Sequence, residues 1–236
     1  MSLIDVEESS FQLFGDFHQA PACMTLFASF RRAMALDHKL PPAVYQMEGM
    51  SGRKYRYLIN NLIALTPVAR YLEVGSWAGS TACSAMHGNA LAITCIDNWS
   101  EFGGPKDVFL ENVRACANEQ TRFNFIESDF RAVDYGAIGR YNVYLFDGPH
   151  EAADQADGVL LAQSALDDTY TLIVDDWNAP HVRQGTIEAL QKLGGPVVCG
   201  IEIRTTKNDT HPTVQRQHSE WHNGYFIAVC KKKTTA

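Results

Sequence analysis

Three carboxylates and one imidazole stand where a folded chain could use them together. The segment VYLFDGPHEAADQADG ends an apolar run at Asp147 and places His150 just beyond Gly148-Pro149. The segment TLIVDDWN ends a second apolar run at the pair Asp175-Asp176. If both runs are neighbouring strands, all three acids reach one sheet edge. Adjacent residues of a continuing strand point to opposite faces. Asp175 and Asp176 therefore converge only if the chain leaves the strand there, which Trp177-Asn178-Ala179-Pro180 favours. Clustered carboxylates repel one another and raise their own pKa values. A hard divalent cation with oxygen ligands removes that repulsion. Magnesium or manganese suits such a donor set better than zinc, which favours Cys or His. The plainer alternative is that one or more of these acids caps a helix. His150 reads either as a proton acceptor beside the cation or as a turn histidine bound to a carboxylate.

A second constellation lies upstream, in YLEVGSWAGST. The apolar run Tyr71-Leu72-Glu73-Val74 carries a Glu and meets Gly75-Ser76-Trp77-Ala78-Gly79, after which Ser80-Thr81 opens a helix. Gly75 and Gly79 let the backbone turn tightly and approach a ligand closely. The spacing is E-x-G-x-x-x-G, not the G-x-G-x-x-G that wraps a pyrophosphate. A carboxylate at Glu73 would repel a pyrophosphate but suits a cationic amino-acid group. The next apolar run ends in Asp97, followed by Asn98 and Trp99. An acid about 20 residues past a glycine loop is the expected partner of ribose hydroxyls; the alternative is a cap or turn role. After a third run, Asp129 and Phe130 could meet an adenine by hydrogen bond and stacking, although Asp after a strand is also ordinary turn chemistry.

The elements that must position these residues follow from periodicity. Strands are expected at 70–74, 91–97, 122–127, 142–147, 171–175, 197–204 and 225–231. Several are apolar on both faces, as parallel strands covered by helices are. Helical patterns at 80–86, 106–118, 152–164 and 181–193 lie between them. This β-α-β-α rhythm predicts a doubly wound, seven-stranded, mostly parallel α/β sheet, with ligands at the carboxyl ends of the strands. Helices at 24–36 and 53–65 form an N-terminal helical cap over residues 1–66. The sheet domain takes 67–236. Within it, 206–223 is polar and His-rich, and reads as a lid or contact insertion.

Bulk properties narrow the function classes. The 236 residues fit one α/β domain with a modest addition. The net charge of −7 argues against a nucleic-acid partner, which needs a basic surface. Lys231-Lys232-Lys233 reads as a solvated tail. Six scattered cysteines without a C-x-x-C pair indicate reduced thiols rather than a disulfide frame or zinc site. The acidic start MSLIDVEESS has no apolar core of a signal peptide, and no apolar run is long enough to span a bilayer. The expected compartment is the cytoplasm, with no membrane partner. The oligomeric state is open to a homo-oligomer.

On these residues the chain resembles the class I S-adenosylmethionine (SAM) methyltransferases. D-G-P-H followed by V-D-D-W resembles their metal-dependent O-methyltransferases, of the catechol type and especially the macrolide-sugar type. The resemblance covers roughly Glu48 to Trp177. It implies that SAM is held by Glu73, Gly75, Ser76, Gly79, Ser80, Thr81, Asp97, Asn98, Trp99, Asp129, Phe130 and Asp147. It implies that Asp147, Asp175 and Asp176 hold magnesium or manganese. His150 falls at the position of the family's base, a His in the sugar type and a Lys in the catechol type. The segment MEGMSG, with Met47, Gly49 and Met50, is similar to the family segment that closes over SAM. The usual Gly-Gly before the fifth strand is absent; ALDDTY stands there. An Asp of the cluster could instead bind the SAM amino group. The expected activity is O-methylation of a small sugar, diol or catechol-like acceptor. The alternatives are a SAM-fold binding module without catalysis and a metal-independent N- or C-methyltransferase. A nicotinamide-dependent oxidoreductase is disfavoured by the glycine spacing.

Overall fold

All seven expected strands form in the computed structural model, which describes residues 9–233. The acidic start read above as lacking a signal peptide lies, but for its last two residues, outside the described residues. The strands are β2 (Arg70–Val74), β3 (Leu91–Asp97), β4 (Thr121–Glu127), β5 (Tyr141–Phe146), β6 (Leu166–Val174), β7 (Val197–Arg204) and β8 (Tyr225–Lys231). An eighth, β1 (Ser10–Gly15), precedes them. The described residues form one sheet in the order β1-β7-β8-β6-β5-β2-β3-β4. The five strands from β4 through β3, β2 and β5 to β6 are parallel. β8 runs antiparallel between β6 and β7, and β1 antiparallel on β7. The order reverses at β2, whose neighbours are β3 and β5, so the gap above their carboxyl ends is a natural ligand crevice.

Period-two alternation divides the buried side chains between two cores. Tyr71, Ile93, Val143, Leu145, Ile173 and Ile227 face one core. There α1 (Pro21–Met34), α3 (Arg53–Leu65) and α4 (Ser80–Met86) cover the sheet. Leu72, Val74, Ile96, Tyr144, Phe146 and Val174 face the other, under α6 (Ala152–Leu161) and α7 (Pro180–Leu193). A short α2 (Pro42–Tyr45) leads into α3, and α5 (Lys106–Cys116) joins β3 to β4. The helical pattern at 152–164 ends earlier, at Leu161, and continues as a 3-10 turn. Lys231 is the last residue of β8, paired with Thr169, rather than part of a solvated tail. All six cysteines are free and buried. No helix among the described residues is long and apolar enough to cross a membrane.

Helix α3 is buried on all sides from Tyr55 to Ile63, so its polar residues need internal partners. Asn60 donates to the carbonyls of Ser84 and His87, both at 2.9 Å. Arg56, fully buried, donates from Nη1 to the carbonyl of Met47 at 2.6 Å, from Nη2 to that of Gly49 at 3.4 Å and from Nε to Ser51 Oγ at 2.9 Å. Burial pulls its pKa down to about 10. This guanidinium fastens the 47–52 segment at the carboxyl edge of the sheet. Arg56→Lys cannot reproduce the fork. It should lower stability by about 1.5–3 kcal/mol, the scale of hydrogen bonds to a charged group. Urea unfolding checks this; an unchanged midpoint means the segment is fastened by something else.

Candidate functional site

The glycine turn is built around a near-collision. Gly75 has φ +82°, and a Cβ there would lie 1.8 Å from the carbonyl oxygen of Asp147. Only glycine lets the chain leaving β2 pass so close to the end of β5. Gly79, at φ +84°, starts α4, and a Cβ there would press to 2.9 Å from Phe109. Asp97 at the end of β3 locks the turn. Its Oδ2 accepts the amides of Ser76 and Trp77 at 2.8 Å each, and its Oδ1 the amide of Trp99 at 2.7 Å. The Trp99 indole then donates to the Trp77 carbonyl at 3.0 Å.

A cavity of about 270 Å³ opens above these turns. Gly75, Ser76, Ser80 and Thr81 line it from the glycine turn and the start of α4, and Asp97, Asn98 and Trp99 from the end of β3. Asp129 and Phe130 line it after β4, and Met50 reaches it from the cover segment. Asp129 also accepts the Arg131 amide at 2.8 Å, the turn role open to it in the sequence. Four expected cofactor residues do not line the cavity: Met47, Gly49, Glu73 and Gly79. Met47 and Gly49 present carbonyls to Arg56, and a Cβ on Gly49 would fall 2.1 Å from Ser80 Oγ. Glu73 lies wholly buried below the turn.

The same cavity carries the acidic cluster. Strand β6 stops at Val174, and Asp176 takes φ +55°, a left-handed conformation that Asp tolerates. That reversal lets Asp175 and Asp176 share one edge with Asp147, and all three line the cavity. Burial, then mutual repulsion, holds Asp147 and Asp175 well above the usual carboxylate range. Oδ1 of Asp175 is buried without a hydrogen-bond partner. His150 Nε2 stands 3.3 Å from Asp176 Oδ2 and 3.7 Å from Asp147 Oδ1. The turn after β6 is pinned by Asn178, which donates to Thr205 Oγ1 at 2.8 Å and to Asn223 Oδ1 at 3.0 Å.

Among the lining residues that sequence reasoning does not name, one stands beside the acids. His222, in the 206–223 insertion, brings a ring nitrogen to within 4.8 Å of the Asp175 and Asp176 carboxylates. Burial pushes its pKa down to about 4 against the pull of Asp176, so the ring is neutral. A signal existed: a strand antiparallel to β6 begins where β6 ends, and Phe226 pairs with Val174. Residues just before β8 must therefore lie beside Asp175. The insertion is also anchored rather than loose, since Trp221 is buried with its ring 5.8 Å from that of Phe11.

Glu73 accepts the Tyr71 hydroxyl on Oε2 at 2.7 Å, while Oε1 is buried without a partner. Burial raises its pKa from 4.5 to about 7. The unfolded chain then loses this proton before the folded one does. Stability therefore falls as pH rises from about 4.5 to about 7 and stays lowered above that. Glu73→Gln should stabilise the ligand-free protein at pH 8 by roughly 3 kcal/mol and by almost nothing near pH 4. Denaturant unfolding of both proteins at the two pH values checks this, and an equal gain at both refutes it.

Residues 72–177, the segment that holds this geometry from β2 to the turn after β6, match the family described as a methyltransferase domain. No curated protein sequence matches the chain. A Pyrococcus horikoshii protein described as a "putative RNA methyltransferase" superposes with a TM-score of 0.53 at 16% identity, over 89% of this chain and 98% of its own. Cofactor-bound Rv0187 from MTB gives 0.51 at 14% identity, over 91% and 92%. TrmN from Thermus thermophilus gives 0.48 at 15% identity over 86% of this chain, which spans only 52% of TrmN. Residues 72–177 are thus similar to a methyltransferase domain, and the described residues have the α/β Rossmann-like fold of the class I methyltransferases.

Proposed function

We propose that this protein transfers the methyl group of SAM to a hydroxyl of a small sugar, diol or catechol-like acceptor, with a divalent cation held by Asp147, Asp175 and Asp176. The observation that carries this reading is the joining of two half-sites in one cavity. A glycine turn with no room for a side chain at Gly75 shares the cavity with three carboxylates and a histidine.

The residues fit both groups. Oδ1 of Asp175, which lines the cavity, is a buried acceptor without a donor, an unfavourable state that a cation relieves. Asp97, Asn98 and Trp99, which line the cavity, would meet the ribose, and Asp129 and Phe130 the adenine by hydrogen bond and stacking. The carboxylate set, two of whose members resist ionisation, suits magnesium or manganese. When bound, such a cation lowers the pKa of a coordinated hydroxyl.

The chain's own part is placement and proton removal. The methyl leaves a sulfonium already poised to break, so alignment of the hydroxyl oxygen behind the S–CH3 bond is the main requirement. The O–CH3 bond forms as the S–CH3 bond breaks, and the hydroxyl proton passes to His150, whose Nε2 faces Asp147 and Asp176. The net charge of −7 favours a small acceptor over RNA.

Calorimetry with SAM, followed by turnover on sugar and catechol panels with and without EDTA, tests the proposal. Asp175→Asn and Asp176→Ala should retain SAM binding and lose turnover. Full turnover after exhaustive chelation would mean that the acids are structural and the transfer needs no metal. In single-turnover measurements His150→Gln should slow the chemical step by about 10²–10⁴-fold with SAM affinity nearly unchanged. A loss below about tenfold would reduce His150 to a turn residue.

A further inference from the structure

His222 lies close enough to Asp175 and Asp176 to complete a three-residue metal group. Its hydrogen bonds argue for a different role. Nδ1 accepts the backbone amide of Arg216 at 2.9 Å. A neutral imidazole carries one proton, and with Nδ1 acting as acceptor that proton is on Nε2. Nε2 then has no lone pair to give a cation. Ligation would require moving the proton to Nδ1, where it would oppose the Arg216 N–H, donor against donor.

The ring is not free to escape this. The His222 amide donates to Ser219 Oγ at 2.8 Å, and its carbonyl accepts Thr205 Oγ1 at 2.9 Å. Thr205 is itself tied to Asn178 in the turn after β6. The residue sits at φ +44° beside the 3-10 turn Arg216–His218. Backbone and ring are thus fixed together, and His222 lines the cavity with Nδ1 already engaged by Arg216. Asp176 already has His150 at 3.3 Å from its Oδ2.

We propose that His222 is a positioning residue: it donates Nε2–H through one water to the Asp176 carboxylate and stays outside the coordination sphere. This rests on the metal reading above and adds to it which cations the site takes. With His222 excluded, Asp147, Asp175 and Asp176 supply oxygen alone, a donor set for magnesium or manganese rather than zinc. A donor behind a carboxylate ligand fixes its orientation, and loss of such a group lowers metal affinity by about 10–100-fold.

The test uses the full chain and Mn²⁺ without acceptor. Titration followed by electron paramagnetic resonance gives the affinity, and electron spin-echo modulation reports any directly bound nitrogen. Wild-type protein should bind Mn²⁺ with no ¹⁴N coupling from His222. His222→Gln keeps a side-chain N–H donor and should bind with wild-type affinity. His222→Ala should bind about 10–100-fold more weakly. A ¹⁴N coupling in wild type that vanishes in His222→Gln would make His222 a ligand and overturn the proposal. So would a His222→Ala protein that binds Mn²⁺ as tightly as wild type. If wild type binds no Mn²⁺, the metal reading itself fails and this inference with it, an outcome separate from the other two.

Discussion

Mutual repulsion among buried carboxylates is the constraint around which this molecule is arranged. Asp147, Asp175 and Asp176 meet at one end of the sheet, and Glu73 is buried nearby under the glycine turn. Burial and proximity oppose the ionisation of Asp147, Asp175 and Glu73, and the tight placement survives because other interactions dictate it. The parallel pairing of β2, β5 and β6 delivers the acids to one edge. The left-handed Asp176 brings the last one round, and the Asn178 contacts to Thr205 and Asn223 hold that bend. A site held against its own electrostatics is poised for a positively charged occupant.

The cover over this edge comes from two distant parts of the chain. Arg56 gathers the carbonyls of Met47 and Gly49 from within a helix buried on all sides. From the other end, Gln217 in the insertion accepts the Gly49 amide at 3.4 Å, and Arg216 lies over the Trp77 ring at 6.0 Å. Trp221 carries the insertion into the core between Phe11 and Phe30. Neither part touches the sheet edge by local folding alone, so both rely on side chains that join elements far apart in sequence.

Much of this was legible in the sequence, and the reasons are specific. Strands apolar on both faces announce themselves, and β3, β7 and β8 have the bounds their patterns predict. A strand end followed by an acid is a position rather than a composition, so Asp97, Asp147 and Asp175 reach the cavity as expected. β1 was missed because it is a half-exposed edge strand whose only partner is almost the whole chain away. His222 was missed because its place depends on the antiparallel register of β8, which no local pattern encodes. The sequence pattern assigns Glu73 to SAM. In the structure it points to the α1/α3/α4 side of β2 and is closed off, because alternation sets it on the same face as Tyr71.

The β1–β7 ladder pairs Ser10 with Arg204. A segment that emerges early in synthesis must wait for one made nearly two hundred residues later. Its loop-closure entropy is met only by contacts that no shorter fragment offers. The strands from β2 to β5 can associate as the chain lengthens, whereas β6, β8 and β7 complete their half afterwards. The Asp175–Asp176 turn and His222 belong to that later half. The cavity therefore matures in two stages, and a nascent chain holds the glycine turn and Asp147 before it holds Asp175, Asp176 and His222.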